Sequence, residues 1–301
     1  MTGLRKLAAY QKYVFFSILF IIGILLGSFL ANKLIVVKAS PDSKTLERKL
    51  EQFVKDRTDS RVSHISVYFV DLNDNFEIGI NQNYDYDGAS LAKLPDMMAI
   101  LKSAQSDRQI LSKTITFYGK KSDRLTQNIL PENQLTEGNS YTVWELVERM
   151  IVFSDNQANY LLAENIGDIF QNVYADFGVN LPNRQAGQLY LTVKQYTSLL
   201  KALFHASYLN KEMSEKALGL LTQVKFKDGL AGGIPGQIKI AHKFGERSWD
   251  KISTKQLHDC GIIYYPDRPY LLCVMTRGQS FTSQSAVIKD LSSLIYNLIK
   301  I

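Results

Sequence analysis

His258-Asp259-Cys260-Gly261-Ile262-Ile263-Tyr264-Tyr265, then Pro266-Asp267-Arg268-Pro269, then Tyr270-Leu271-Leu272-Cys273-Val274-Met275-Thr276: this stretch decides the fold. Two β-rich runs, Gly261–Tyr265 and Tyr270–Thr276, flank a short turn with two prolines, which predicts neighbouring strands. Immediately upstream, Ile238–Lys243 reads as another strand. Downstream, Ala286, Ile288, Leu291, Leu294, Ile295 and Leu298 form one face of an amphipathic helix. The other end of the chain matches this pattern. Leu46, Leu50 and Phe53 recur at helical spacing within Ser40 to Thr58. Ile65, Val67 and Phe69 alternate, Asn73-Asp74 supplies a turn, and Phe76 to Ile80 returns as a hairpin. Between the two ends, Ser90 to Leu221 is mainly helical. Thr142-Val143-Trp144-Glu145 has capping-box form, followed by Leu146, Val147, Met150 and Ile151 on one face. Strands near both termini with helices between them predict an α+β fold. One antiparallel sheet of about five strands, built from both ends of the chain, would pack against a helical subdomain. No repeat or linker divides residues 40–301.

Cys260 and Cys273 are the only cysteines. A turn symmetric about Asp267-Arg268 would set them on one face but diagonally, poor geometry for a disulfide, so two buried free thiols are expected. His64, His205, His242 and His258 show no metal-ligand spacing, and no metal or cofactor is expected.

Three short motifs carry the chemistry. Ser90-Leu91-Ala92-Lys93 puts a hydroxyl and an amine one helical turn apart at a helix start. The unbonded N–H groups and dipole there favour developing negative charge. The lysine acts as a base only if its surroundings lower its pKa from about 10.4. The same spacing recurs at Ser198–Lys201 and Ser248–Lys251, so it is weak evidence alone. Ser154-Asp155-Asn156, taken alone, reads as a helix cap. Lys243-Phe244-Gly245, taken alone, reads as a strand-end lysine before a turn glycine.

The order S-x-x-K, S-D-N, K-x-G resembles the motif series of serine β-lactamases and penicillin-binding proteins. The run from Tyr141 through Met150-Ile151-Val152-Phe153 into Ser154-Asp155-Asn156-Gln157-Ala158 is similar to the class A β-lactamase helical region. Asp228-Gly229-Leu230-Ala231-Gly232-Gly233-Ile234-Pro235, leading into Lys239–Lys243, resembles the same family, as does His258–Ile263. The resemblance covers roughly residues 45–300 and implies these roles. Ser90 is acylated, Lys93 takes its proton, and Ser154 relays a proton to the leaving nitrogen. The backbone N–H groups of Ser90 and Glu246 form the oxyanion hole. Asn156, Lys243 and Gly245 bind substrate, and Asp155 is structural.

Two departures stand out. Phe244 replaces the hydroxyl residue of the family's K-T-G or K-S-G, which helps hold a substrate carboxylate; Arg247 or Arg277 is the candidate replacement. Class A enzymes also deacylate with a glutamate on a loop before a helix-starting threonine, here matched by Thr192. The stretch Phe177 to Leu191 contains no acid, Asp176 ends the preceding helix, and Glu164 lies too early. A long-lived acyl-enzyme is therefore expected, since a base that activates water is typically worth 10²–10⁴-fold.

Residues 13–32 run without a charge. At ~1.5 Å per residue they match a bilayer's hydrocarbon thickness, and the stretch exceeds the apolar core of a cleaved signal peptide. Arg5, Lys6 and Lys12 precede the span and predict a cytoplasmic tail. The expected organisation is a tail (1–12), a transmembrane signal anchor (13–32), a stalk (33–44) and an extracytoplasmic catalytic domain (45–301). The formal net charge is +6, of which residues 1–38 carry +5, so the body offers no phosphate-tracking stripe and no nucleic-acid partner is expected. The leading reading is a membrane-anchored serine acyl-enzyme hydrolase of the β-lactamase or D,D-peptidase type. Its substrate would be a β-lactam or a D-Ala-D-Ala-like peptidoglycan peptide. The alternative is a catalytically degenerate binding module with the same fold.

Overall fold

The computed structural model describes residues 43–119, 133–180, 189–249 and 252–299. The expected tail, membrane span and most of the stalk lie outside the described residues. Among the described residues no helix is long and apolar enough to cross a membrane.

The first helix, α1 (Ser43–Arg57), buries Leu46, Leu50 and Val54, while Phe53 is half-buried. Strands β1 (Val62–Asp71) and β2 (Glu77–Ile80) then form the expected hairpin. Val70 pairs with Glu77, which centres the turn on Asn73-Asp74. The short β3 (Tyr86–Asp87) leads through a 3₁₀ turn, Ala89–Ala92, into α2 (Lys93–Ala104). Pro95 sits in the first turn of α2, where its missing N–H costs little. Next come β4 (Thr114–Thr116), β5 (Ser140–Thr142), α3 (Val143–Val152), α4 (Asn156–Ile166) and α5 (Gln171–Asp176). After β6 (Tyr190–Leu191) follow α6 (Val193–Phe204) and α7 (Lys211–Leu221). The chain returns to the sheet with β7 (Ile240–Trp249), β8 (Ile252–Ile263) and β9 (Tyr270–Gly278), then closes with α8 (Phe281–Ile299).

The five-stranded antiparallel sheet runs β2-β1-β9-β8-β7, so strands from both ends of the chain meet at the β1–β9 pair. Helices α1 and α8 pack on one face and α6 on the other. Burial from both sides explains why Leu271 to Met275 is apolar without alternation. The expected capping box forms, and a second one accompanies it. Thr142 and Glu145 open α3, and Thr192 and Gln195 open α6.

Three details differ from the sequence reading. The β8–β9 turn centres between Pro266 and Asp267, one residue earlier than expected, with Asp267 in the left-handed region at φ +60°. That shift moves Cys260 directly opposite Cys273, and the two form a disulfide instead of free thiols. The motif Lys243-Phe244-Gly245 lies mid-strand rather than at a strand end. Strand β8 keeps pairing past it to Ser248, through polar residues whose pattern hides a strand. The helical region also contains two small strand pairs, β3–β6 and β4–β5, too short for periodicity to reveal.

Candidate active site

The three motifs converge where the edge strand β7 meets the start of α2. Gly245 makes this approach possible. A Cβ there would lie 2.5 Å from the Gly88 carbonyl oxygen and 3.1 Å from Leu91 Cγ. Any side chain would therefore push β7 off the turn that carries Ser90.

Lys93 begins α2, a helix buried nearly all round, so its amine is drawn inside with the apolar residues that follow. Its Nζ donates to Ser90 Oγ at 3.0 Å, Asn156 Oδ1 at 2.5 Å, the Ser154 carbonyl at 2.5 Å and Ser154 Oγ at 3.1 Å. Burial lowers its pKa to about 7, against the opposing charges of Asp155, Glu246 and Asp96. A half-deprotonated amine within reach of a serine hydroxyl is a competent base at neutral pH.

Ser154 joins the two lysines. It adopts φ +55°, and its Oγ accepts from Lys243 Nζ at 2.9 Å as well as from Lys93. Lys243 is fully enclosed. It also donates to the Phe244 carbonyl at 2.9 Å and lies 4.4 Å over the Phe244 ring. Burial, and then the neighbouring Lys93, push its pKa well below the usual lysine value. Phe244 is itself buried and stacks on Phe226 with centroids 4.4 Å apart.

Asp155 is the N-cap of α4, accepting from Gln157 N at 2.8 Å and Ala158 N at 3.1 Å. Arg149 Nε donates to its other oxygen at 2.9 Å. The cap and the contacts of Ser154 and Asn156 with Lys93 thus coexist. Asp155 starts the helix, which leaves Ser154 and Asn156 turned to Lys93.

Neither candidate replacement arginine is uncommitted. Arg277 donates to Tyr84 Oη at 3.0 Å, and Arg247 Nε lies 3.3 Å from Asp87 Oδ2. Two supporting residues escaped the sequence reading. Tyr174 Oη donates to Asp96 Oδ1 at 2.8 Å and approaches the Ala92 carbonyl at 3.2 Å, bracing the start of α2 from behind. No local pattern marks that pair, because helix packing alone joins α5 to α2.

A family model described as the beta-lactamase enzyme family matches residues 45–299. Among curated protein sequences no match is found. A solved structure of a PBP-A mutant, an acyl-enzyme complex with penicillin G, superposes with a TM-score of 0.71 at 19% identity, covering 85% of this chain and 97% of that one. The TLA-1 extended-spectrum beta-lactamase gives 0.73 at 17% identity, covering 85% and 98%. A beta-lactamase from Xanthomonas campestris gives 0.73 at 19%, covering 84% and 98%. At these identities the likeness to solved structures is one of fold.

Proposed function

The chain belongs to the beta-lactamase enzyme family, and on that premise we propose that it is a membrane-anchored serine acyl-enzyme hydrolase with slow deacylation. Its substrates are β-lactams or D-Ala-D-Ala-like cell-wall peptides. The observation that carries the reading is Lys93 Nζ, 3.0 Å from Ser90 Oγ with its pKa lowered to about 7.

Lys93 takes the Ser90 proton as Oγ attacks the amide carbonyl, and the backbone N–H groups of Ser90 and Glu246 hold the oxyanion. Ser154 passes a proton to the leaving nitrogen. The contacts of its Oγ with both Lys93 and Lys243 support that relay. Asn156 hydrogen-bonds the side-chain amide of the substrate, and Gly245 lines the strand against which the substrate lies. Lys243 acts on the substrate site through Ser154, since its buried Nζ makes its hydrogen bonds to Ser154 Oγ and the Phe244 carbonyl. Slow deacylation is supported by the absence of any acid from Phe177 to Leu191. The uncharged stretch at residues 13–32 supports the anchor, with the catalytic domain outside the cytoplasm.

The test is intact-protein mass spectrometry of the full chain after incubation with a penicillin, followed over time. A lasting adduct on Ser90 is expected. Clearance within seconds would refute slow deacylation, and no adduct on folded protein would favour a binding module. The same spectrum tests the anchor. Chain recovered from membranes should carry the full 34.1 kDa, and a product lacking the first ~30 residues would mark a cleaved signal peptide.

A further inference from the structure

The residue before the nucleophile is held in an unusual backbone conformation. Ala89 has φ +47°, a region that a residue with a Cβ enters at a cost of about 1–2 kcal/mol. Something must impose this conformation. Gly88 donates to the Leu189 carbonyl at 2.7 Å and accepts from Leu91 N at 2.9 Å, which closes a turn around Ala89 and Ser90 but bonds no atom of Ala89. The contact to Ala89 comes from Asp87, whose Oδ1 accepts the Ala89 N–H at 3.0 Å. Asp87 is in turn hydrogen-bonded through three of its four polar atoms, and the fourth, Oδ2, makes a charge contact only. Its N–H donates to Gln256 Oε1 at 3.0 Å and its carbonyl accepts from His258 Nε2 at 3.0 Å. Its Oδ2 faces Arg247 Nε at 3.3 Å. Arg247 and Gln256 are cross-strand partners, and His258 lies two residues along β8 from Gln256, so all three share one face of the sheet. Asp87 is fully buried.

We propose that Asp87 is the positioning residue for the nucleophile: anchored by Arg247, Gln256 and His258, its carboxylate locks Ala89 in the left-handed region and so aims Ser90 Oγ at Lys93. The inference rests on the reading that Ser90 is acylated. It adds to that reading the way the sheet dictates the geometry of the acylated residue.

The experiment compares the wild-type full chain with Asp87→Ala, Asp87→Asn, Ala89→Gly and the double variant Asp87→Ala/Ala89→Gly. Saturation kinetics with a fluorescent penicillin resolve two quantities, the affinity of the initial non-covalent complex and the rate constant of acylation within it. Asp87→Ala should slow acylation by about 10–100-fold, the scale of an ångström-sized misplacement, while binding changes by less than about 3-fold. Asp87→Asn keeps an acceptor oxygen for Ala89 N and should stay within about 5-fold of wild type. In the Ala89→Gly background, where no Cβ opposes positive φ, Asp87→Ala should cost clearly less than in the parent chain. Equal acylation by Asp87→Ala and wild type, or the same loss in both backgrounds, would overturn the proposal. Amide hydrogen exchange of Ala89 provides a readout free of chemistry. The Ala89 amide should exchange slowly in wild type and Asp87→Asn, and fast in Asp87→Ala. Fast exchange in the wild type would sink the clamp even if Asp87→Ala does not fold. A wild-type chain that forms no adduct yet shows this exchange pattern would refute the catalytic reading and leave the clamp standing.

Discussion

Partners rather than spacing separate two of the three S-x-x-K pairs in this chain. Lys201 forms an ion pair with Glu77 at 2.8 Å, and Ser198 turns back to the Gln195 carbonyl, so that spacing carries no chemistry. Lys93, with the same spacing from Ser90, faces Ser154 and Asn156 with no carboxylate in hydrogen-bonding contact, and burial lowers its pKa to about 7. The motif was legible in the sequence; the burial and partners that lower the Lys93 pKa were not, because they come from α4 and the sheet. Two predictions belong at this scale. Ser90→Ala should abolish the penicillin adduct while leaving the thermal midpoint within a few degrees of wild type; an adduct that persists would place the nucleophile elsewhere. Under the proposed mechanism the neutral amine of Lys93 is the active form, so the acylation rate should rise as pH climbs through about 7 and level off above it. Lys93→Arg, whose guanidinium stays protonated, should lose at least ~10²-fold at every pH tested. A flat pH profile for the wild type would remove Lys93 as the base.

At the level of elements, the helix starts were easier to read than the strand ends. Thr142 and Thr192 announce α3 and α6 through side chains that bond their own backbone, a purely local signal. The mid-strand position of Lys243 and the register of Cys260 against Cys273 depend on where a turn is centred, and one residue of slip reassigns every partner. Helix α4 shows how one element serves both stability and chemistry. Asp155 caps it and also raises the Lys93 pKa by its charge. Asp155→Asn keeps an acceptor for the helix N–H groups but removes the charge. Its stability should fall, because the largely buried Arg149 guanidinium loses its ion pair, while the acylation inflection moves to lower pH. Asp155→Ala loses the cap too and should cost about 1–2 kcal/mol more in denaturant unfolding than Asp155→Asn. An inflection that does not move in Asp155→Asn would show that the charge is screened from Lys93.

The molecule as a whole is closed by pairing β1 with β9, strands some two hundred residues apart, and the sheet so formed is the platform on which the nucleophile turn rests. That antiparallel architecture followed from the sequence pattern, whereas the contacts between sheet and turn did not, because they join residues whose separation no periodicity encodes. His258 is the clearest case. It is fully buried on β8, edge-on to Tyr86, with Nε2 against the Asp87 carbonyl and Nδ1 receiving the Thr276 N–H at 3.3 Å. A carbonyl only accepts and an N–H only donates, so the ring must be neutral with its proton on Nε2. Burial lowers its pKa from 6.5 to about 4. In the unfolded chain this ring gains a proton below about 6.5, and in the folded chain only near 4. Its contribution to stability is therefore complete above pH 6.5 and is lost as pH falls towards 4, by up to ~3 kcal/mol. Unfolding free energy measured from pH 7 to pH 4 should fall across that window, while the His258 ring nitrogens of the folded protein should report the Nε2–H tautomer until pH nears 4. Only there, where the folded ring itself gains a proton and sets a second donor against the Thr276 N–H, should the Asp87 turn loosen and acylation decline more steeply than Lys93 alone accounts for. A His258 resonance that titrates near 6.5 in the folded protein would refute both the tautomer and the coupling of sheet to nucleophile that it implies.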